Sequence, residues 1–213
     1  TSTGVIENLV FDYHRSPATR LNQSAGLVGR NYGTIRNVVM KVSLDTIQAN
    51  QSSGFLTYTN ENSGVIENFS VKIEKELHAR SGMGMITSSN RGTIRRGVVY
   101  GKNMVLESCV YGGNIYTDSG YSGAIAYANN ETGLIEDVFV LNNLAVEYNV
   151  REVKDSKTGK IDLVPNYPFV QTGGIVSSTR GTVRNSFFVG DLYYFTYEDN
   201  KQSPYQILNL GGT

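Results

Sequence analysis

Six charged residues, of types that could carry out chemistry, recur at one position of a repeat in this chain of 213 residues. The pattern Gly-x-Ile/Val-charged-Asn, with Arg or Asp in place of Asn in one repeat each, occurs six times, and its charged position holds, in chain order, Glu7, Arg36, Glu67, Arg95, Glu136 and Arg184. Carboxylates grouped with basic residues are the equipment of polysaccharide lyases and hydrolases, so this column is the first candidate for a catalytic centre. The alternating sign instead indicates ion pairing between neighbouring repeats, which opposes the pKa shifts that acid–base catalysis requires. We therefore interpret the column as a structural charge ladder.

The other reactive side chains are isolated in the sequence. The two histidines, His14 and His78, belong to no H-E-x-x-H motif, and we expect both to be surface or hydrogen-bonded residues rather than ligands. Cys109 is the single cysteine, which excludes an internal disulfide and a zinc site built on several cysteines. It lies in an apolar run, so we expect a buried structural thiol. We predict no catalytic motif, metal site or cofactor within these residues.

Composition excludes several classes of protein. Lys and Arg total 19 and Asp and Glu total 19, so the formal net charge is zero, which argues against a nucleic-acid binder. Apolar residues make up 39%, enough for a folded core, yet no apolar run is long enough for membrane insertion. The chain is rich in Val, Ile, Asn and Gly, a mixture typical of strands separated by turns.

Two linked repeats predict the architecture. The first begins at Gly4, Gly33, Gly64, Gly92, Gly133 and Gly181, and a second Gly-containing apolar pattern precedes five of these, around Gly26, Gly54, Gly84, Gly123 and Gly174. We predict an all-β fold, a parallel β-helix (solenoid) of about six to seven coils that forms one domain over residues 1–213. The Ile or Val of each repeat would form a buried stripe. The Asn, Asp or Arg that follows the charged residue would lie at a turn, where Asn and Asp tolerate a left-handed backbone.

The two longest gaps between repeats suggest additional features. In the first gap, residues 105–112 resemble a degenerate coil that would place Leu106 in the apolar column and Glu107 beside Arg95. The second gap contains an excursion over residues 141–172 that alternates with strand period around a polar turn, so we predict a projecting hairpin or long loop. Insertions in repeat proteins often provide the binding face, although a solvated loop without a partner is an equal alternative.

Aromatic residues supply the remaining candidates for a binding site. The chain has 14 tyrosines and no tryptophan. Exposed tyrosines are suited to contacts with proteins and sugars, whereas tyrosines stacked along a solenoid wall are the structural alternative. The candidate partner-binding residues, taken from the excursion and from the C-terminal tyrosine cluster, are Tyr148, Lys157, Tyr167, Tyr193, Tyr194 and Tyr197.

The repeats resemble the bacterial GLUG repeat. The closest match runs from Ala25 to Asn37 and reads AGLVGRNYGTIRN, and the resemblance covers most of the chain outside the excursion and the last stretch. GLUG-like repeats occur in the N-terminal, non-catalytic region of immunoglobulin A-specific zinc metallopeptidases of Gram-positive bacteria. The resemblance implies a β-helical module of a secreted or cell-wall-attached endopeptidase, with zinc in a separate catalytic domain of the same polypeptide. It also implies an extracellular location and a host protein or glycoprotein partner, immunoglobulin A among the candidates, with further domains at one or both ends.

Two other functions remain open on the sequence. An adhesin-type surface module without a peptidase parent would use the excursion or the tyrosine clusters to bind its partner. A carbohydrate-active β-helix enzyme would instead use the acids of the charged column, Glu7, Glu67 and Glu136.

Overall fold

A computed structural model of the chain describes residues 4–14, 26–43, 46–48, 53–74, 77–80, 83–101, 104–107, 122–142, 144–147, 150–165, 172–190, 192–198 and 201–205. Every regular element in these ranges is a β-strand. The strands are β1 (Val5–Tyr13), β2 (Val28–Asn31), β3 (Thr34–Val42), β4 (Thr46–Gln48), β5 (Ser53–Gly54), β6 (Thr57–Asn60), β7 (Val65–Ile73), β8 (Leu77–Arg80), β9 (Met83–Gly84), β10 (Thr87–Asn90), β11 (Thr93–Gly101), β12 (Met104–Glu107), β13 (Ser122–Gly123), β14 (Ala126–Asn129), β15 (Leu134–Leu141), β16 (Leu144–Glu147), β17 (Val150–Lys154), β18 (Ile161–Pro165), β19 (Thr172–Gly173), β20 (Val176–Thr179), β21 (Thr182–Arg184), β22 (Phe187–Phe188), β23 (Leu192–Glu198) and β24 (Lys201–Tyr205). The described ranges contain no apolar helix of the length needed to cross a membrane.

Parallel sheets built from successive repeats make up the fold, as predicted. The first sheet has the order β1-β3-β7-β11-β15-β21, with β22 also pairing with β15, and the second has the order β2-β6-β10-β14-β20. The third sheet runs β4-β8-β12-β16-β23-β24, and the short fourth sheet runs β5-β9-β13-β19. Apart from β24, which is antiparallel to β23, all neighbours in these sheets are parallel. This all-β arrangement of stacked parallel sheets is consistent with a parallel β-helix.

The apolar column of the repeat forms the core beneath the first sheet. Ile35 pairs in register with Ile6 on one side and with Ile66 on the other, and Ile66 pairs with Ile94, which pairs with Ile135. The four central isoleucines are at most 1% exposed. Burying one such side chain contributes about 1.5–3 kcal/mol. The predicted buried stripe is therefore confirmed, and it holds consecutive repeats in register.

A left-handed residue at one position of every repeat bends each strand of the first sheet. The residues after the charged column are the only non-glycine residues in the described ranges with positive φ: Asn8, Asn37, Asn68, Arg96, Asp137 and Asn185, with φ values of 58°, 54°, 54°, 54°, 53° and 49°. The bend interrupts the alternation of side chains, so Arg36 and Asn37 are both exposed while Ile35 and Val38 are both buried. Asn and Asp adopt this conformation most readily among L-residues, which explains their recurrence. The prediction of a left-handed turn is confirmed.

A ladder of buried asparagines joins the repeats inside the stack. The Nδ2 of Asn31 donates to Oδ1 of Asn60 at 2.8 Å, Asn60 donates to Asn90 at 2.9 Å, and Asn90 donates to Asn129 at 2.8 Å. Asn129 then donates to Oγ1 of Thr179 at 3.1 Å. The four asparagines are at most 5% exposed, so the ladder satisfies amide groups that would otherwise be buried without partners.

This ladder explains why the repeat begins with glycine. A Cβ atom on Gly64 would overlap Oδ1 of Asn60 and the carbonyl oxygen of Asn31, and one on Gly133 would overlap Oδ1 of Asn129. A larger residue would therefore push the backbone away from the asparagine that it packs against.

The part of the expected degenerate coil that the structure describes, residues 105–107, does not join the first sheet. Strand β11 pairs directly with β15, so Arg95 lies between Glu67 and Glu136. Glu107 instead ends β12 in the third sheet, in register with Arg80 and Glu147. The prediction was wrong because the segment resembles the first-sheet repeat locally, while its position after β11 makes it the third-sheet strand of the same repeat. Residues 108–121 lie outside the described ranges.

The predicted hairpin is present, and its first strand begins later than expected. Strands β17 and β18 pair with each other in an antiparallel two-stranded sheet. The excursion was expected to begin at residue 141, but Leu141 ends β15 and residues Leu144–Glu147 form β16 of the third sheet. The alternating pattern of residues 145–153 concealed this boundary, because it belongs partly to a parallel strand and partly to the hairpin.

Removing the middle of the buried ladder tests this packing. We expect Asn90→Ala to lower the free energy of unfolding by about 2–5 kcal/mol, because it leaves the amide of Asn60 and the carbonyl of Asn129 buried without these partners. Asn62→Ala, at an exposed asparagine that accepts a bond from Thr132, should cost less than about 0.5 kcal/mol. Denaturant unfolding measures both variants, and equal small losses would contradict the ladder's role.

Candidate functional site: the outer face of the first sheet and the hairpin

The charged column lies on the outer face of the first sheet, just before the left-handed bend. The register places Glu7 beside Arg36, Arg36 beside Glu67, Glu67 beside Arg95, Arg95 beside Glu136 and Glu136 beside Arg184. Opposite charges therefore face each other across every step of the sheet, and no like charges are adjacent in this column. Such cross-strand pairs stabilise a sheet, whereas like charges in the same positions would repel.

Side-chain ion pairs join alternate steps of the column: Glu7 with Arg36, Glu67 with Arg95 and Glu136 with Arg184. Oε2 of Glu7 is 2.6 Å from both Nε and Nη2 of Arg36. Oε2 of Glu136 accepts from Nε and Nη2 of Arg184 at 2.9 and 2.6 Å. Each arginine thus presents two donors to one carboxylate oxygen of the preceding repeat, and such charge-assisted bonds fix the position of the guanidinium.

Glu67 is the most constrained carboxylate of the column. Its Oε2 accepts from Nε and Nη2 of Arg95, both at 2.8 Å, and from Nη2 of Arg96. The Glu67 side chain is 11% exposed, against 41% for Glu7. Arg96 occupies the left-handed position and also donates from Nε to Oδ1 of Asn68 at 2.9 Å. The sequence did not predict that Arg96 would pair with Glu67, because the other residues of the left-handed column are Asn and Asp.

An apolar column runs beside the charges on the same outer face. It contains Val10, Val39, Ser70, Val98, Phe139 and Phe187, in register from β1 to β22. The exposed fraction is 70% for Val10, 42% for Val39 and 50% for Phe187. The rings of Phe139 and Phe187 contact each other with centroids 4.3 Å apart. Sequence analysis missed this column because its residues alternate with buried ones and look like ordinary strand residues.

The next outward column changes character along the sheet. It begins with Asp12, Lys41 and Lys72 and continues with Tyr100 and Leu141, so this column is charged in the early repeats and mainly apolar in the later ones.

Glu74 follows the first-sheet strand β7 and has a lowered pKa. Hydrogen bonds from Ser43 and Lys72 hold the pKa of the Glu74 carboxyl below its usual value, and Nζ of Lys72 is 3.3 Å from Oε1 of Glu74.

The tip of the hairpin is basic. Lys154, Lys157 and Lys160 are exposed around a turn in which Oδ1 of Asp155 accepts the N–H of Lys157 at 2.8 Å. This backbone bond, together with bonds from the side chain and N–H of Thr158, lowers the pKa of the Asp155 carboxyl. The turn is closed by the N–H of Gly159, which donates to the carbonyl of Asp155 at 2.8 Å.

The remaining candidates from the sequence fall in three groups. Lys157 lies at the hairpin tip, and Tyr193, Tyr194 and Tyr197 lie on β23 of the third sheet. Strand β16, which precedes the hairpin in the chain, pairs with β23 and ends where Glu147 is opposite Phe195. Tyr148 and Tyr167 lie outside the described residues, as does Cys109.

The described histidines and acids do not form a metal site. Nδ1 of His14 is 3.8 Å from Oδ1 of Asp12 on an exposed surface, and His78 lies on β8. Among the described residues, no group of three or more His, Cys, Asp or Glu side chains is placed to hold a metal ion.

The differing surroundings of the acids predict unequal effects on stability. We expect Glu67→Gln to lower the free energy of unfolding by about 1–3 kcal/mol, because two guanidinium groups lose their charged acceptor. Glu7→Gln, in an exposed pair, should cost less than about 1 kcal/mol. Thermal and denaturant unfolding test the order of the two effects, and the reverse order would contradict the geometry.

The hairpin turn should respond to pH. Because the folded-state pKa of Asp155 lies below its unfolded value, the turn gains stability above the ordinary Asp pKa of about 4 and loses it as pH falls through the lowered value. We expect the amide signals of Lys157 and Thr158 to titrate together in NMR spectra taken below about pH 4. Asp155→Asn keeps an acceptor without a titrating group and should abolish this dependence; wild-type amides that do not respond to pH would contradict it.

Comparison with protein-family models, with curated proteins and with solved structures finds no significant match to this chain.

Proposed function

We propose that this chain is a GLUG-type parallel β-helix of about six to seven coils that binds or positions a host glycoprotein. In this proposal it is a non-catalytic module of a secreted or cell-wall-attached bacterial zinc endopeptidase, similar to the immunoglobulin A proteases. The zinc and the catalytic residues would belong to a separate domain of the same polypeptide. The module would act outside the cell, and immunoglobulin A is the first partner to test.

The hairpin is the observation that carries the proposal of a binding role. Its two strands pair only with each other among the described strands, so they are not needed to continue any of the parallel sheets. Its tip presents Lys154, Lys157 and Lys160 to solvent around an ordered turn. An insertion of this kind, held by a rigid repeat scaffold, is a frequent way for repeat proteins to contact a partner.

A tyrosine-bearing strand pairs with the strand that precedes the hairpin in the chain. Tyr193 and Tyr194 on β23 are in register with Ala145 and Val146 on β16, directly before the hairpin begins. Tyrosine is enriched at protein interfaces because it combines a large apolar area with a polar end. The basic tip of the hairpin favours a partner whose contact surface carries acidic groups, such as sialylated glycans or carboxylates of a glycoprotein.

Direct binding tests the proposal. The purified 213-residue chain is passed over immobilised immunoglobulin A in surface plasmon resonance, and we expect saturable binding. The variant Lys157→Glu/Lys160→Glu should weaken binding at least about tenfold, because it reverses the charge of the hairpin tip. The control Lys41→Glu/Arg180→Glu makes the same change in net charge at exposed positions away from the hairpin and should leave the affinity within about twofold.

The outcomes separate the parts of the proposal. Absence of binding to immunoglobulin A and to a panel of host glycoproteins would contradict the binding role. Equal losses in the two variants would contradict the assignment of binding to the hairpin. A complete polypeptide without a zinc peptidase domain would contradict the peptidase parent and favour an adhesin that uses the same surface.

A further inference from the structure

The outer face of the first sheet exposes apolar side chains on strands that are paired on both sides. Strands β3 and β15 each have a parallel neighbour on either side, yet Val39 is 42% exposed, Phe139 is 36% exposed and Leu141 is 45% exposed. Val98 and Tyr100, on β11, are half-buried. These side chains project from the face of the sheet rather than from an edge. Large apolar side chains grouped on an exposed face mark an interaction surface.

Four columns of side chains make up this face on β3, β7, β11 and β15. In strand order, the charged column is Arg36, Glu67, Arg95 and Glu136; the left-handed column is Asn37, Asn68, Arg96 and Asp137; the apolar column is Val39, Ser70, Val98 and Phe139; and the fourth column is Lys41, Lys72, Tyr100 and Leu141. The early and the later repeats therefore present different side chains in every column.

A two-fold axis parallel to the strands, lying over the gap between β7 and β11, brings two such faces together. It places β7 of one molecule opposite β11 of a second copy, and β3 opposite β15. Each column then faces the same column in reversed order. Such an interface is isologous, because both molecules contribute the same surface. It requires every column to be complementary to its own reverse.

Reversal brings opposite charges together in the charged column. Arg36 faces Glu136 of the second copy, and Glu67 faces Arg95 of the second copy. Because the signs alternate from strand to strand, any two-fold axis placed between two strands gives this result. Complementary charges at an interface fix its register and exclude other arrangements.

The two ionic residues of the left-handed column do not meet their own kind. Asn37 faces Asp137 of the second copy, and Asn68 faces Arg96 of the second copy. An asparagine amide can donate to a carboxylate and accept from a guanidinium. This column is therefore also compatible with its reverse.

Reversal sets a smaller residue opposite a larger one in the apolar column. Val39 faces Phe139 of the second copy, and Ser70 faces Val98 of the second copy. Side chains from two facing sheets interdigitate when small and large residues alternate across the contact. The contact would cover the exposed parts of Val39 and Phe139.

The fourth column matches its reverse because its character changes along the sheet. Lys41 faces Leu141 of the second copy, and Lys72 faces Tyr100 of the second copy, so lysines do not face lysines on these four strands. The aliphatic stem of a lysine covers apolar surface while its ammonium group stays in water. A column charged throughout would instead place like charges opposite each other.

We propose that this outer face is the interface of a dimer of two copies of this chain, related by that two-fold axis. Six strands about 4.8 Å apart, with about 20 Å of each in contact, give roughly 500–600 Å² per molecule, which is at the low end for a specific interface. We therefore expect a weak dimer with a dissociation constant between about 1 and about 100 µM. The inference is independent of the proposed binding role, since the strands of the hairpin belong to none of the parallel sheets.

Sedimentation velocity of the 213-residue chain between about 1 and about 500 µM tests the proposal. We expect an average mass that rises to that of the dimer and saturates there, because an isologous contact is closed. Val39→Lys should weaken association at least about tenfold, because it sets an ammonium group against the apolar column of the second copy. Ile161→Lys is the matched control: it makes a similar change at a 54% exposed apolar residue of the hairpin and should associate like the wild type.

Charge exchange between molecules tests the reversed register itself. Arg36→Glu and Glu136→Arg should each dimerise at least about tenfold more weakly than the wild type, because like charges then face each other twice across the contact. The two variants mixed in equal amounts should associate at least about tenfold more tightly than either alone, since opposite charges then face each other at both places. Mixing leaves the charges within each molecule unchanged, so this recovery reports on the contact alone. Thermal unfolding checks that each variant is folded.

Four outcomes would overturn the proposal. A wild-type chain that stays monomeric up to about 500 µM would leave this face to another domain of the polypeptide or to a different protein. A mass that continues to rise beyond the dimer would exclude the two-fold arrangement. Equal association of Val39→Lys and Ile161→Lys would place the contact elsewhere, and a mixture of the charge variants without recovery would contradict the reversed register.

Discussion

Parallel pairing of successive repeats in register is the constraint on which the rest of this structure depends. In such a stack each residue lies beside its equivalent in the neighbouring repeats. The residues of one column must therefore be able to pack against each other or bond to each other. Ile35 between Ile6 and Ile66 meets this requirement by burial, and the asparagine ladder meets it by alternating donor and acceptor. A column of charged residues with one sign would repel itself, and here the column alternates between Glu and Arg.

The bend after the charged column determines which residues are available for function. Because the left-handed residue turns two consecutive side chains outward, the charges and the asparagines share one face, and the apolar column from Val10 to Phe187 runs beside them. The hairpin lies outside the parallel sheets and escapes the requirement of self-compatibility. This freedom allows three exposed lysines to group around a turn in which hydrogen bonds lower the pKa of the Asp155 carboxyl.

Sequence analysis could predict the features that recur with constant spacing. The isoleucine stripe, the left-handed column and the hairpin depend on residue type at repeated or local positions, and the structure contains all three. The buried ladder was missed because Asn31 precedes its repeat glycine by two residues and Asn60 by four, which hides the column. Glu107 was misplaced because local similarity does not reveal which sheet a strand joins. The pairing of β23, which contains Tyr193 and Tyr194, with β16 depends on the tertiary structure and has no signature in the sequence.

Cross-linking across the outer face measures the register most directly. In a Cys109→Ser background, Val39→Cys and Ser70→Cys place two thiols on directly opposed residues of β3 and β7, within the Cα separation that a disulfide spans. The account predicts rapid oxidation of this pair. It predicts no cross-link within one molecule between Val39→Cys and Val98→Cys, which are two strands apart. A cross-link that forms in the second pair and fails in the first would contradict the register of the stack.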